Sequence, residues 1–323
     1  MIWREREEKK MEEYMNESGS WTKYFSYLSP RLRSAVQSMQ QSDIDRLQEI
    51  RIRAGRPLAV TVNGREHFLM MSGNLTAYPD QAVKVTRMET EETFRKVCEY
   101  SVYSYAKEIR EGFITLRGGA RVGISGTAVY DGIRLSGMRD VSSLCFRMPR
   151  QVRNCAARLA RETVVRNKGG LLIAGKAGSG KTTMLRDLCR ILGSSSRVSL
   201  IDTRGEIAGI LHGVPQYDIG SHTDIFDGFP RSDGAVMALR AMTPEYIVCD
   251  EISTNEEAQA LLQVYGCGVN IIASAHAGSF DDLMKRRALK PLIDAGVFSS
   301  AAILGDELQP GKLISVQRIN AVC

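Results

Sequence analysis

The eight residues from Gly175 to Thr182 constrain the fold of this chain more than any other feature of its sequence. They read GKAGSGKT and match the pattern G-x-x-x-x-G-K-[ST] without a mismatch. An apolar run precedes the loop, and a segment with apolar residues on one helical face follows it. A strand, a glycine-rich turn and a helix in this order predict an α/β domain whose loop binds phosphate groups.

Each residue type in this loop suits the binding of a nucleoside triphosphate such as ATP. Glycines let backbone N–H groups turn inward around phosphate oxygens, and the following helix adds partial positive charge at its N-terminus. Lys181 is expected to reach the β- and γ-phosphates, and the Thr182 hydroxyl is expected to ligate Mg²⁺. The predicted ATP-binding residues are Gly175, Lys176, Ala177, Gly178, Ser179, Gly180, Lys181, Thr182 and Thr183.

The second half of the chain alternates short apolar runs with helical segments. The runs are LLIA (171–174), VSLID (198–202), YIVCD (246–250), NIIASA (270–275) and LISVQRI (313–319). This alternation predicts a mostly parallel sheet with helices on both faces. The run VSLID lies between the glycine loop and YIVCD, and an extra strand there is typical of RecA-like and AAA+ ATPases. We therefore predict an α/β, RecA-like P-loop ATPase domain over residues 169–323.

Two adjacent acids stand at the end of the run YIVCD. Asp250, at the carboxyl end of this predicted strand, is placed to hold Mg²⁺ through water, as a Walker-B aspartate does. Glu251 then points toward the γ-phosphate, where it could orient or deprotonate the attacking water. The alternative is that both are solvated acids that cap a strand.

Further polar residues lie near the ends of the other predicted strands. Asp202 and Glu206 fall at the carboxyl edge of VSLID, where open α/β sheets bind ligands. His276 follows NIIASA at the same edge, either as a γ-phosphate sensor or as a structural histidine. Arg240, just before YIVCD, is either a phosphate or subunit contact or a surface residue of a helix.

Residues 1–148 have the pattern of a smaller α+β domain. Residues 1–17 are predicted to form a charged helical arm, and Ser29-Pro30 marks the start of a short helix. Asn63-Gly64 is the signature of a hairpin turn, and residues 89–109 have apolar side chains at helical spacing. Two longer strand patterns follow, broken at Asp131-Gly132.

The formal net charge of +6 is concentrated in one window. Residues 139–168 carry eight basic and two acidic side chains, a surplus equal to that of the whole chain. The part from 149 to 168 is predicted to be a basic linker between the domains. The window also suggests an alternative function, a nucleic-acid-dependent ATPase of RecA or helicase type. Nucleic acid remains the less favoured partner, because single-strand surfaces interleave aromatic side chains and the window contains only Phe146.

The cysteines and the apolar runs indicate the compartment. Seven scattered cysteines without a C-x-x-C pair are typical of the reducing cytosol. The charged N-terminus does not resemble a signal peptide, and no run has the apolar length of a membrane span. We expect a cytoplasmic protein that reaches a membrane only through a partner.

The arrangement of these motifs resembles the secretion ATPases of type II and type IV systems, which are RecA-like hexamers. Those proteins carry a P-loop, an acidic box, a Walker-B strand and a histidine box. The counterparts here are 175–182, 202–206, Asp250-Glu251 and His276. Residues 132–148 and 201–252 are more similar still to one branch, the stage III sporulation AA family, and this resemblance covers about residues 50–320.

The resemblance implies an ATP-hydrolysing motor that assembles with its own copies into a ring, expected to be a hexamer. Its partners would be membrane proteins of a secretion-type complex in sporulating cells. Glu206 would be the catalytic base, whereas the residues alone favour Glu251, so the base stays open between them. Arg139 and Arg147 would reach the nucleotide across a subunit boundary, whereas residues 153–168 are interpreted as solvated.

The sequence also departs from the secretion ATPases. Asp250-Glu251 stands where they usually have Gly-Glu, and the tetracysteine zinc motif of some members is missing, so no structural metal is expected. A third interpretation, a nucleotide-bound scaffold with negligible hydrolysis, is compatible with the same motifs.

Overall fold

The computed structural model of the protein describes residues 21–148, 151–165, 169–306 and 310–319. These residues form two compact units, and the second unit begins at Gln151. The charged arm predicted for residues 1–17 lies outside the described residues. Among the described helices, none is long and apolar enough to cross a membrane.

Within residues 21–148, seven strands form an antiparallel sheet in the order β4-β3-β2-β1-β7-β6-β5. The strands are β1 (Leu47–Arg53), β2 (Ala59–Val62), β3 (Arg65–Leu69), β4 (Leu75–Thr76), β5 (Phe113–Thr115), β6 (Arg121–Asp131) and β7 (Arg134–Arg147). The hairpin turn at Asn63-Gly64 is confirmed, because Val62 pairs with Arg65. Both turn residues have positive φ, 53° and 77°, as a type I′ turn requires.

Short helices accompany this sheet. They are α1 (Pro30–Gln37), α2 (Gln41–Ile44), α3 (Arg87–Val97) and α4 (Ala106–Glu111), with 3-10 turns at Trp21–Tyr27, Pro79–Gln81 and Val102–Tyr105. The predicted helix start at Ser29-Pro30 is confirmed. The helical pattern over residues 89–109 is interrupted, because Glu99 and Tyr100 have positive φ and turn the chain between α3 and α4. Large side chains fill the core, among them Trp21, Tyr24, Phe25, Ile50 and Phe146.

In the described part of the second unit, seven strands form the main sheet, in the order β12-β9-β13-β14-β8-β15-β16. They are β8 (Gly170–Ala174), β9 (Val198–Asp202), β12 (Thr223–Asp227), β13 (Tyr246–Cys249), β14 (Asn270–Ala275), β15 (Phe298–Leu304) and β16 (Leu313–Arg318). All neighbours are parallel except β15 and β16. A small hairpin of β10 (Ile210–Leu211) and β11 (Val214–Pro215) lies apart from it. The predicted mostly parallel sheet is confirmed.

Helices cover both faces of this sheet. They are α5 (Ala157–Ala160), α6 (Lys181–Leu192), α7 (Arg231–Met242), α8 (Asn255–Gly266), α9 (Phe280–Met284) and α10 (Lys290–Asp294), with a π-helical turn at Arg161–Val165. Alternate strand residues face different cores, as in β8, where Leu172 packs with α7 and α8 residues and Leu171 with those of α5 and α6. The RecA-like α/β class predicted from the sequence is therefore the observed one.

The strand pattern missed two members of the sheet, β12 and β15. The segment TDIFD of β12 has a single fully buried side chain, as suits an edge strand, so it lacks a continuous apolar run. β15 begins with FSSAA, whose small side chains carry little β-propensity although most are buried. Neighbouring strands, rather than local preference, hold both segments extended.

The basic stretch 149–168 is not a separate linker over its described part. Residues 151–165 belong to the second unit, and their apolar side chains at helical spacing are buried in its core with those of α6. These are Ala156, Leu159, Ala160 and Val164. The arginines at 153, 158 and 161 are exposed. This segment is therefore amphipathic, which its net charge did not indicate.

Candidate nucleotide-binding site

The parallel strands of the second unit bring the predicted polar residues to one edge of the sheet. β8 pairs with β14 so that Ala174 lies opposite Ala275, and β14 pairs with β13 so that Ala273 lies opposite Cys249. Parallel strands end on the same edge, so the loops that follow them are neighbours. The residues that follow the strands are Gly175 after β8, His276 after β14, Asp250 after β13 and Thr203 after β9.

The glycine loop has the backbone that its sequence predicts. Gly178 and Gly180 have φ of +73° and +91°, in the left-handed region that residues with a Cβ rarely adopt. At Gly175 an added Cβ would lie 2.2 Å from Ser179 Oγ, so this position also has no room for a side chain. Lys176, Ala177 and Gly178 are exposed, which leaves the tip of the loop open to a ligand.

Two other segments hold the loop, the end of β14 and the turn before β16. The N–H of Gly175 donates to the carbonyl oxygen of Ala275 at 3.3 Å, and that of Gly311 donates to the carbonyl oxygen of Ser179 at 2.8 Å. Ser179 is fully buried, and its Oγ has no hydrogen-bond partner among the described residues. The loop is thus held by main-chain contacts and retains one unused buried hydroxyl.

Lys181 begins α6 and turns its ammonium back into the loop. Its Nζ donates to the carbonyl oxygens of Gly175 and Lys176, at 2.8 and 2.7 Å. Burial lowers the pKa of Lys181, and the negative charge of Glu251 opposes that shift. Thr182 and Thr183 follow in the first turn of α6, half-buried. The charge of Glu251, on the loop after β13, thus acts on the ammonium of Lys181.

Asp250 is bound by Arg231, which belongs to none of the sequence motifs. Nε of Arg231 donates to Oδ1 of Asp250 at 2.7 Å, and its Nη2 contacts the same oxygen. Burial raises the pKa of Asp250, and the charge of Arg231 opposes this rise. Both contacts from Arg231 engage Oδ1, and neither engages Oδ2. The sequence did indicate that Arg231 is buried, because position 231 shares one helical face with the small residues at 234, 235 and 238, which are buried as well.

Asp202 accepts hydrogen bonds from the loop that carries Glu206. Its buried carboxylate accepts the N–H groups of Glu206, Ile207 and Ala208 at 2.9, 2.9 and 2.8 Å. Burial raises the pKa of Asp202, although these N–H groups oppose the shift. Asp202 thus folds the segment 203–208 over the end of β9, with Glu206 half-buried within it.

A second buried arginine joins this loop to α6. Arg186 donates from Nη2 to the carbonyl oxygen of Glu206 at 2.6 Å and from Nε to that of Ile207 at 2.7 Å. Its guanidinium also stacks over the ring of Tyr217, at 3.7 Å from the centroid. The helix that leaves the glycine loop therefore anchors the acidic loop as well.

His276 and Arg240 have different positions relative to this edge. His276 is half-buried directly after β14, the strand next to β8. Arg240 is exposed and lies nine residues along α7 from Arg231, which is about 14 Å at the rise of a helix. It lines a shallow groove between α7 and α8 together with Met237 and Gln263. Arg240 thus lies at the far end of α7 from Arg231, and a phosphate or subunit contact by Arg240 stays a prediction.

Arg139 and Arg147 belong to β7 of the first unit. Arg147 pairs with Glu49 at 3.1 Å, and Arg139 lies 3.8 Å from Asp140. Both side chains are mostly exposed, 63% for Arg147 and 70% for Arg139. Each guanidinium is therefore accessible to a further anion.

The fold is shared with two solved ATPases. The ATPase DotB of Legionella pneumophila matches with a TM-score of 0.51 at 16% identity, over 80% of this chain and 72% of that chain. The pilus retraction motor PilT, solved with bound ADP, matches with a TM-score of 0.51 at 14% identity, over 80% of this chain and 74% of that chain. At these identities the likeness concerns the fold alone, the RecA-like α/β arrangement.

Sequence relatives identify the family. Stage III sporulation protein AA of Bacillus subtilis (strain 168) is 31% identical over 295 residues, which are 90% of this chain and 92% of that protein. Protein SEEDLING PLASTID DEVELOPMENT 1 of Arabidopsis thaliana is 34% identical over 148 residues, 45% of this chain and 21% of that protein. The family profile described as "Sporulation stage III, protein AA" matches residues 21–320. The chain therefore belongs to the sporulation stage III protein AA family.

Proposed function

We propose that this chain is a Mg²⁺-dependent ATPase that works as a RecA-like motor. The observation that carries the proposal is the convergence of the glycine loop, Lys181 and Asp250-Glu251 on one edge of a parallel sheet. Open α/β sheets bind their ligands at this edge. The charge of Glu251 acts on the ammonium of Lys181, which supports a common site for the two motifs.

ATP would bind with its phosphates in the glycine loop. The positive φ of Gly178 and Gly180 lets main-chain N–H groups face an anion, and the start of α6 adds partial positive charge. The ammonium of Lys181 is held by two carbonyl oxygens of the same loop. A phosphate oxygen would replace those carbonyls as its partner, so the lysine needs little movement to bind.

Thr182 and Asp250 would hold Mg²⁺ beside the phosphates. A metal held by these two residues would supply positive charge beside the phosphate oxygens. The donor set fits this ion, because a threonine hydroxyl and a water-bridged carboxylate are the oxygen ligands usual for Mg²⁺ in P-loop sites. Oδ2 of Asp250 is the carboxylate oxygen without an Arg231 contact, and it would accept from a metal-bound water.

Glu251 and Glu206 are the two candidates to orient or deprotonate the attacking water. Glu251 directly follows Asp250, whereas Glu206 lies on the loop that Asp202 and Arg186 fix in place. His276, after the strand next to the loop strand, would sense the γ-phosphate. These roles give each polar residue of the edge a separate task.

We extend the proposal to a ring of identical subunits, expected to be a hexamer. Arg139 and Arg147 are exposed on β7 and would each supply a guanidinium to the nucleotide of a neighbouring copy. Such an arginine is worth about 10³–10⁵ in rate in other phosphoryl-transfer enzymes. Hydrolysis would then depend on assembly, and Arg240 would be a candidate for a further subunit contact.

The family membership supports a biological setting for this motor. We propose that it energises a membrane-associated secretion complex in sporulating cells, from the cytoplasmic side, and reaches the membrane through partner proteins. The basic stretch gives little support to the alternative function, a nucleic-acid-dependent ATPase. Arg153 pairs with Asp218 at 3.2 Å and Arg158 with Glu162 at 2.7 Å, so part of that charge is neutralised locally.

The test is release of phosphate from ATP by the purified chain, with Lys181→Ala as the deficient variant. Removing a preorganised donor to the transferred phosphate costs about 10²–10³ in rate, so we expect at least a 100-fold loss. Lys290→Ala, an exposed lysine on α10, is the matched control and should keep the wild-type rate. Normal turnover of Lys181→Ala would refute the proposal, and negligible wild-type turnover at every protein concentration would favour the scaffold interpretation.

A further inference from the structure

Arg231 forms a buried bridge between two carboxylates of the candidate site. It is the first residue of α7, and its side chain is 9% exposed. Nε and Nη2 contact Oδ1 of Asp250, while Nη1 donates to Oε1 of Glu257 at 2.7 Å. One guanidinium thus binds the end of β13 and the first turn of α8 together.

Glu257 is itself fixed from its other oxygen. Its Oε2 accepts the N–H of Ser253 at 2.8 Å and the N–H of Thr254 at 3.0 Å. Thr254 in turn accepts the N–H of Glu257, which completes a capping box at the start of α8. Glu257 therefore uses one oxygen to begin the helix and the other to bind Arg231.

These contacts close a loop in the chain. Asp250 and Glu257 are the ends of an eight-residue segment, and both are bound to the same guanidinium. Glu251 lies inside this segment, next to the residue that would hold the metal. The position of Glu251 therefore depends on how Arg231 holds the two ends.

We infer that Arg231 is a positioning residue that fixes Asp250 and the Glu251 segment for Mg²⁺–ATP, an inference that rests on the proposed function. The planar guanidinium is suited to this task, because separate nitrogens donate to two carboxylates in a fixed geometry. A lysine supplies one ammonium on a flexible stem and cannot reproduce that fork. The contacts to Oδ1 of Asp250 leave Oδ2 for the metal-bound water.

A positioning role differs from a purely structural one in its dependence on the metal. If Arg231 orients Asp250, nucleotide binding in EDTA depends only on the glycine loop and is not affected by its loss. The additional affinity gained on adding Mg²⁺ is then the quantity that falls. A general loss of folding would instead weaken both measurements together.

The experiment measures the affinity of the full chain for a fluorescent ATP analogue in EDTA and in Mg²⁺, followed by steady-state hydrolysis of ATP. For Arg231→Gln we expect unchanged affinity in EDTA within twofold, loss of most of the Mg²⁺ gain, and at least a tenfold fall in kcat. Arg231→Lys keeps the positive charge but lacks the planar fork of nitrogens. Its kcat and its Mg²⁺ gain should lie between those of wild type and Arg231→Gln. Arg197→Gln is the control, because Arg197 is an exposed arginine of the same unit, in a surface pair with Glu245.

A second variant protects the test against a folding defect. Glu257→Gln keeps an oxygen for the helix cap but places its amide nitrogen, a donor, against Nη1 of Arg231, so that bond is lost. The variant should lower kcat and the Mg²⁺ gain in the same sense as Arg231→Gln but less, because Arg231 keeps its contacts to Asp250. If Arg231→Gln, or Glu257→Gln where the first does not fold, keeps both quantities within twofold of wild type, the inference is overturned. If the wild type itself shows no Mg²⁺ gain and no hydrolysis, the proposed function fails instead, and the two failures are distinct.

Discussion

Arg186 donates a hydrogen bond from its Nε to the carbonyl oxygen of Ile207 at 2.7 Å, which ties the helix after the glycine loop to the loop that carries Glu206. The same guanidinium binds the carbonyl oxygen of Glu206. The helix that follows the glycine loop and a candidate base thus share one support. A change in the position of α6 would be passed to Glu206 through this contact.

The substitution Arg186→Met should loosen the loop of residues 203–208. It keeps an apolar stem but removes two hydrogen bonds from a charged donor, each worth about 1.5–3 kcal/mol. We expect amide hydrogen exchange in a peptide spanning residues 203–208 to accelerate at least tenfold, measured by mass spectrometry. Arg190→Met, one turn further along α6, is the control, because Arg190 binds Asp187 instead. Equal protection in the two variants would contradict the assignment.

The two candidate bases are separable by their amide variants. We expect Glu251→Gln to retain ATP binding and to slow single-turnover hydrolysis by about 10²–10⁴, the usual contribution of a general base. Glu206→Gln should lose less than tenfold, because Glu206 sits on a loop organised by Asp202 rather than beside Asp250. The measurement is single-turnover hydrolysis with excess protein, together with the amount of ATP retained after rapid gel filtration.

The comparison of Glu251→Gln with Glu206→Gln needs a control variant. Glu245→Gln, at an exposed position before β13, should hydrolyse ATP at the wild-type rate. If Glu206→Gln is the slower of the two candidate variants, the base is Glu206, as the resemblance to the secretion ATPases implied.

The sequence predicted those parts of the site whose signal is local. The glycine loop is a contiguous pattern, and most strands around it are short apolar runs. Both could be predicted locally, and the order of strands and helices then predicts the sheet edge at which the loop lies. The placement of Asp250, Glu251 and His276 at that edge follows from the same signal, since Asp250 and His276 directly follow β13 and β14 and Glu251 comes after Asp250. Parallel pairing then brings them together without any further information.

The parts that escaped prediction depend on contacts between distant residues. Arg231 meets Asp250 and Glu257 only because α7 packs beside β13 and α8, and nothing in the local pattern names its partners. The net charge of the basic stretch masked its buried apolar face. The break at Glu99 and Tyr100 rests on positive φ at two residues that rarely adopt it, so helical spacing alone did not reveal it.

The first unit should lose stability in acid through Glu89. Burial alone would raise the pKa of Glu89, but the hydrogen bonds from Arg31 and from Thr86 outweigh it and hold the pKa below its ordinary value. A depressed carboxyl pKa contributes stability above the unfolded pKa, and this contribution is lost as the pH falls through the folded pKa. The thermal midpoint of Glu89→Gln should therefore lie below that of wild type at neutral pH, and the difference should shrink on acidification. Glu91→Gln, at a half-buried position two residues further along the same helix, is the control variant for this comparison.

Assembly should depend on nucleotide and on the arginines of β7. If Arg147 and Arg139 bind the nucleotide of a neighbouring copy, a non-hydrolysable ATP analogue should raise the solution mass of wild type toward a ring. Arg139→Ala and Arg147→Ala should weaken this response and lower kcat by about 10³ or more, with binding of nucleotide to the single chain preserved.

Light scattering coupled to size exclusion, with and without the analogue, measures the response over a range of protein concentrations. Arg134→Ala is the control, because Arg134 is an exposed arginine at the far end of the same strand and has no predicted role. Arg147→Ala also releases Glu49, which keeps its bond to Arg51 at 2.9 Å, so the first unit should remain folded. Wild-type mass and turnover in both arginine variants would exclude a contribution of these residues across a subunit boundary.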